Sequence, residues 1–252
     1  DDAYLETLKA EQFPDDADLS PIEYEDHQPP FYYLLATPIY NLSQGNLIAL
    51  RLGSVAAGAG VVIAAYVAIA RLCPLHKELA LATAAFVAFI PQHVAVLAGV
   101  NNDSIAELVL GITLVVTLAY LGNPLQRQAQ GKAVPLEETK RPHAAALGGL
   151  VGVAFLTKAT IYLAAVGGVA LAIIWRWRRE GRPFRWFVGQ ALWAGGMALG
   201  LGALWWARNI AIYGWPDVTG LSTHNAIVVG QLTTGELINE IGLGPYLGTY
   251  LT

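Results

Sequence analysis

Apolar residues run in long blocks along this chain, and its polar positions are clustered between the blocks. A bilayer-crossing helix needs about 20 mostly apolar residues. Leu47 to Ala70 supplies such a run, interrupted only by Arg51 near its start. Leu79 to Leu97, Ser104 to Leu121 and Trp186 to Ala207 supply three more. Ala144 to Trp175 is too long for one crossing: at ~1.5 Å per residue it would reach about 50 Å, against a hydrocarbon core of about 30 Å. Lys158 also sits near its middle, where a charge is costly. Arg127, Lys132, Lys140 and Arg141 precede this stretch, and Arg176, Arg178, Arg179, Arg182 and Arg185 follow it. The positive-inside rule puts both flanks in the cytoplasm. The stretch therefore crosses and returns as two short tilted helices, turning at "FLTKAT" with Lys158 at the outer face. Six spans result, and 11 of the 15 Lys and Arg fall in cytoplasmic loops.

This topology gives the outer face the acidic N-terminal stretch, the "GVNNDS" turn, the "LTK" turn and everything after "WWARN". Pro29 to Tyr40 is too short to span, and a run of this length lies at the interface or re-enters. Proline is tolerated in a helix's first turn, so a surface helix is predicted to start at Pro29 or Pro30. Tyr32, Tyr33 and Tyr40 suit the headgroup level. Three regions follow: residues 1–46 as an extracytoplasmic first loop with an interfacial helix, 47–207 as the transmembrane domain, and 208–252 as a second extracytoplasmic loop. The chain starts at Asp1 without a signal peptide and is expected to be a fragment lacking a first membrane helix and a C-terminal part.

Composition agrees. The chain is 55% hydrophobic and 13% charged, where a soluble domain is about 25% charged, and its mean hydropathy is +0.46. The first 30 residues hold ten of the 19 acidic groups. A net charge of −4 without a basic, aromatic-interleaved patch argues against nucleic acid. Cys73 is the only cysteine, which excludes an intrachain disulfide and any CxxC metal site.

The unusual polar residues now gather on one side: Asp1, Asp2, Glu25, Asp26, His27, His93, Asp103, Lys158 and Arg208. Ionisable groups at membrane depth point to function, though each has a plainer role open to it. Asp103 could cap the helix that follows, which leaves Glu107, one turn deeper on the same face, unexplained. Lys158 could snorkel to the headgroups, Arg208 could anchor the interface beside Trp205 and Trp206, and His93 could be a helix-end residue. Glu25, Asp26 and His27 could be solvated loop, and Asp1 and Asp2 loop charge. Carboxylates facing two cations at a membrane surface suit a specific chemistry. A carboxylate can deprotonate an incoming hydroxyl, while Lys and Arg hold a phosphate and take up the charge that builds on it.

"YEDHQPPFYYLLATPIY", "FIPQHVAVLAGVNNDSIAELVLG", "FLTKATIYLAAV" and "WWARNIAIYGWP" occur in an order that resembles bacterial GT-C glycosyltransferases. The group most alike is the protein O-mannosyltransferase-like and lipid A arabinosyl-transferase-like one. The resemblance implies an all-α polytopic bundle in the plasma membrane that takes a sugar from a polyprenyl-phosphate carrier. The sugar passes to an envelope glycan, lipid or protein on the extracytoplasmic side. It also implies site residues. "DDAYLETL" resembles the family's paired acidic motif, with Asp2 where glutamate is common; in an alternative alignment the pair lies upstream of Asp1. Asp103 matches the second acidic position. Glu25 and His27 match the motif before the paired prolines, where Asp26 occupies a spot that is often small. Lys158 and Arg208 fall where the family contacts the donor phosphate. Asp1, Asp2 and Asp103 are thus the implied catalytic residues, and Glu25, Asp26, His27, Lys158 and Arg208 bind substrate. A divalent cation on Asp103 and His27 is permitted, since some members use one.

A transporter or lipid flippase with the same spans is the main alternative. Transporters carry broken midplane helices and internal repeats, and neither is evident here. A membrane scaffold would leave the shared face of Asp103, Lys158 and Arg208 unexplained.

Overall fold

The computed structural model describes residues 2–11, 14, 17, 27–122, 142–222 and 234–248. Among these the regular structure is entirely helical: α1 Asp2–Ala10, α2 Phe31–Ser43, α3 Leu47–Leu72, α4 Lys77–Ala88, α5 Pro91–Leu97 and α6 Asp103–Leu121. Then come α7 Ala144–Phe155, a 3-10 turn Ala159–Ile161, α8 Tyr162–Arg179, α9 Phe184–Tyr213, α10 Thr234–Ile241 and α11 Leu243–Gly248. Two compact units divide the chain. One is Gln28–Ala207; the other joins Asp1–His27 to Arg208–Thr252.

Among the described residues four segments are long and apolar enough to cross a membrane: Leu47–Leu72, Asp103–Leu121, Ala159–Arg179 and Phe184–Tyr213. The expected span from Leu79 to Leu97 is instead a broken pair, α4 and α5, bent by 62°. Pro91 explains the break. It has no N–H for the preceding turn, and its ring drives Ile90 into extended geometry (φ −68°, ψ 115°). The helix break predicted near "FLTKAT" is present, since α7 ends at Phe155 and Lys158 is extended (φ −163°, ψ 134°). Its two arms are unequal, however. The 12 residues of α7 cover about 18 Å, whereas the segment Ala159–Arg179 has 21 residues and full spanning length.

In the Gln28–Ala207 unit α6 is central, touching α3, α7 and α8, while α3 also packs on α4 and α2. The core is built from Tyr120, Leu147, Val151, Phe155, Ile161 and Val169 with many alanines. Small residues let helix backbones approach where lipid supplies no hydrophobic drive between helices. Gly148 of α7 is the extreme case: a Cβ there would collide with the backbone of Ala194 in α9. Large apolar side chains such as Leu171, Leu192 and Leu204 are exposed, as befits a lipid-facing surface.

The helix predicted to start at Pro29 or Pro30 starts at Phe31, with Pro30 as its N-cap. It runs to Ser43, about a turn beyond the predicted Tyr40, and closes on the left-handed Gln44 (φ 53°). At the far end, α9 continues to Tyr213, past the predicted end at Ala207. Arg208 is therefore a helical residue, not the start of a loop.

Candidate active site

The start of α6 is capped by its own turn. Asn101 Oδ1 accepts from the Asp103 N–H at 3.0 Å, Ser104 Oγ donates to the Asn101 carbonyl at 3.1 Å, and Asn101 Nδ2 donates to the Val96 carbonyl at 2.9 Å. Capping therefore does not use the Asp103 carboxylate. It accepts a hydrogen bond from Lys158 Nζ at 2.6 Å, across 55 positions of sequence. Lys158 reaches it from the extended link between α7 and the 3-10 turn, so it is paired, not snorkelled. The lysine side chain is 20% exposed and the carboxylate 41%. The pair is thus partly shielded, and charge-assisted bonds are strongest there.

Beside this pair the prolines of "HQPP" are held at both ends. Asn102 Nδ2 donates to Gln28 Oε1 at 3.2 Å, and the Phe31 N–H donates to the Leu156 carbonyl at 2.8 Å. The second bond satisfies a carbonyl that the end of α7 leaves without a helical partner. Tyr162 does the same for the Phe155 carbonyl, its hydroxyl donating at 2.6 Å. The first loop is in this way tied to the two elements that carry Asp103 and Lys158.

One turn down α6, Glu107 Oε2 lies 2.8 Å from His93 Nδ1 on α5. The bend at Pro91 brings that histidine to α6. Its Nε2 is buried and has no hydrogen-bond partner among the described residues. Past Glu107 an apolar cleft of about 400 Å³ runs along α6, floored by Ala64, Gly111, Ala165 and Gly168.

The second unit organises Arg208. Its Nη1 donates to Asn209 Oδ1 at 3.1 Å and lies 3.5 Å from the Tyr213 hydroxyl, with the guanidinium 5.8 Å from the Tyr213 ring centre. Gly220 has φ +73°, and a Cβ on it would fall 2.6 Å from His27 Cβ and 2.7 Å from the Tyr213 ring. Only glycine fits there, and its bare backbone lets His27 and Tyr213 approach from two sides.

Of the sequence-predicted residues, Asp103 and Lys158 are brought together, and His27 shares with Tyr213 the surroundings of Gly220. Asp1, Glu25 and Asp26 lie outside the described residues; Asp2 begins α1, but its side chain lies outside them too. Sequence reasoning missed Gln28, Asn101, Asn102, Asn209 and Tyr213. Gln28 and Asn209 both stand inside motifs quoted above, "HQPP" and "WWARN", yet an amide gives no signal of its partner. Among the described residues no three His, Cys, Asp or Glu side chains gather as a metal centre needs. The Asp103 carboxylate is engaged by an ammonium group, so the described residues alone form no divalent-cation site.

No curated protein and no solved structure matches the chain. The family model described as dolichyl-phosphate-mannose-protein mannosyltransferase matches residues 21–194, a stretch that includes the "HQPP" anchor, Asp103, Lys158 and most of the bundle. This helical, multi-pass membrane protein belongs to that family of membrane glycosyltransferases.

Proposed function

We propose that the protein transfers a sugar from a polyprenyl-phosphate-linked donor to an envelope acceptor on the extracytoplasmic face. The observation that carries this is the Asp103–Lys158 pair, a carboxylate and an ammonium group held at 2.6 Å beside the anchored first loop. Mannose and a protein hydroxyl are the first donor sugar and acceptor to test, on the description of the matching family.

The reaction is a single displacement. The acceptor oxygen bonds to the anomeric carbon, and the bond from that carbon to the phosphate oxygen breaks with its electron pair. Asp1 or Asp2 takes the hydroxyl proton. Charge builds on the departing phosphate, and Lys158 stabilises it there more than in the ground state. Arg208 has the same partner by the motif it occupies. Asp103 holds Lys158 in place before the donor arrives and, with His27, orients the sugar or acceptor hydroxyls. The transition state has oxocarbenium character, as in other glycosyl chemistry, and the configuration at carbon inverts.

The test uses the full-length protein in lipid nanodiscs with polyprenyl-phosphate mannose and a serine/threonine-rich acceptor peptide, following release of free polyprenyl phosphate. Release that is lost in Lys158→Met and in Asp103→Asn, both folded, supports the proposal. No release with any lipid-linked sugar, together with movement of labelled lipid between leaflets, sinks it in favour of a flippase.

A further inference from the structure

Asn209 is 1% exposed, and both ends of its amide are in use. Nδ2 donates to the Val218 carbonyl at 3.1 Å, and Oδ1 accepts from Arg208 Nη1 at 3.1 Å. These partners fix the amide's orientation. A carbonyl can only accept and a guanidinium can only donate, so a flipped amide would lose both bonds. The carbonyl it grips belongs to a well-formed turn: the Val218 N–H donates to Pro216 at 2.8 Å, the Asp217 N–H to Gly214 at 3.0 Å, and the Gly220 N–H to Asp217 at 3.3 Å. Ser222 N–H closes the same turn on Asp217 Oδ1 at 3.3 Å. One buried amide thus joins the last turns of α9 to the segment after it and holds a guanidinium at its other end.

We infer that Asn209 is a positioning residue, setting the Arg208 guanidinium in the orientation that receives the phosphate of the lipid carrier. Tyr213 assists as a flat support, its ring lying under the guanidinium. The inference rests on the proposed role of Arg208 as a phosphate contact. The physical reason for such a device is entropic. An arginine side chain with several free torsions pays to become ordered when an anion binds. A guanidinium already tethered through Nη1 has paid part of that cost during folding. Asn209 itself does not touch the substrate.

The experiment measures inhibition by the product polyprenyl phosphate in the full-length protein in nanodiscs, alongside thermal unfolding. Four variants are compared: Asn209→Leu, Asn209→Gln, Arg208→Met and Asn209→Leu with Arg208→Met. Losing the bond to a charged group in Asn209→Leu is expected to weaken inhibition about tenfold. Asn209→Gln keeps a neutral amide oxygen for Arg208 on a side chain one methylene longer, so inhibition is expected to stay within about threefold of wild type even as stability falls. In the Arg208→Met background, Asn209→Leu is expected to change inhibition less than about twofold, because the two residues act as one unit.

Arg208→Met with unaltered inhibition removes the phosphate role of Arg208, and the positioning role falls with it. Arg208→Met with weakened inhibition, but with Asn209→Leu equally harmful in both backgrounds, overturns only the positioning role and leaves Asn209 as a structural tie. If Asn209→Leu does not fold, Asn209→Gln decides: tight inhibition in a destabilised protein supports the inference, and inhibition as weak as in Arg208→Met refutes it.

Discussion

Breaking the Asp103–Lys158 pair from each side, and then from both, separates its two possible duties. Removing one partner of a fully buried ion pair costs about 3–5 kcal/mol, whereas an exposed pair is worth about 0–1 kcal/mol. With the lysine 20% exposed and the carboxylate 41%, each single substitution belongs between these limits, at about 1–2 kcal/mol. Lys158→Met strands a carboxylate that no cap interaction claims, and Asp103→Asn leaves an ammonium group facing a neutral amide. In a chain of this size each kcal/mol shifts Tm by roughly 2–4 °C, so each variant should unfold about 2–8 °C early by tryptophan fluorescence in nanodiscs. The double variant carries no stranded charge and should recover about 1 kcal/mol relative to the sum of the singles. Activity should behave differently. Release of polyprenyl phosphate should drop at least ~100-fold in all three, because restored stability does not restore a cation at the leaving group. A double variant that turns over like wild type would make the pair purely structural and refute the assignment of Lys158. Strictly additive stability losses would mean the two side chains do not interact in solution at all.

Further tests address the frame around that pair. Gly148→Ala should destabilise the bundle by about 1–3 kcal/mol through overpacking, since the new methyl group meets the Ala194 backbone; Gly195→Ala, which meets nothing within 4 Å, should be neutral or slightly stabilising in the same melt. Gly220→Ala should cost at least ~1–2 kcal/mol from its positive φ alone, and protease nicking between Trp215 and Ser222 should rise with it. Gln28→Leu leaves the Asn102 amide without its partner and should cost about 1–2 kcal/mol; unchanged Tm and unchanged turnover together would mean that the "HQPP" anchor plays no part in holding the site. Glu107→Gln should destabilise by about 1–3 kcal/mol in wild type but by clearly less in a His93→Ala background, and equal losses would dissolve the His93–Glu107 pair.

Different parts of this architecture were legible to different degrees. The helix break at Lys158 could be read because a mid-segment charge lies in an apolar stretch too long for one crossing. The break before Pro91 could not, because Ile90 and its neighbours look the same in a straight span as in a bent one, and periodicity carries no angle. Asp103 and Lys158 were placed on a common face by orientation alone. Their contact, 55 residues apart in sequence, depends on how α6 and α7 pack. The extent of α9 was underestimated because Arg208 looks like an interfacial stop, while its neighbour Asn209 is buried and lets the helix run on to Tyr213. That Asp103 does not cap α6 was equally hidden, for Asn and Asp are both good caps and only the lysine's arrival shows what the carboxylate holds.

The 62° break between α4 and α5 also bears on how this protein can change over generations. In an unbroken helix one inserted residue rotates everything after it by about 100°, so His93 would swing away from Glu107. With the ladder interrupted at Pro91, an insertion or deletion within α4 turns only α4's own lipid-facing stripe. Residues beyond the proline keep their facing, because their register is counted from Pro91 onward. The α4 half of this segment can therefore drift in length while the corner that presents His93, Asn101 and Asp103 stays in phase.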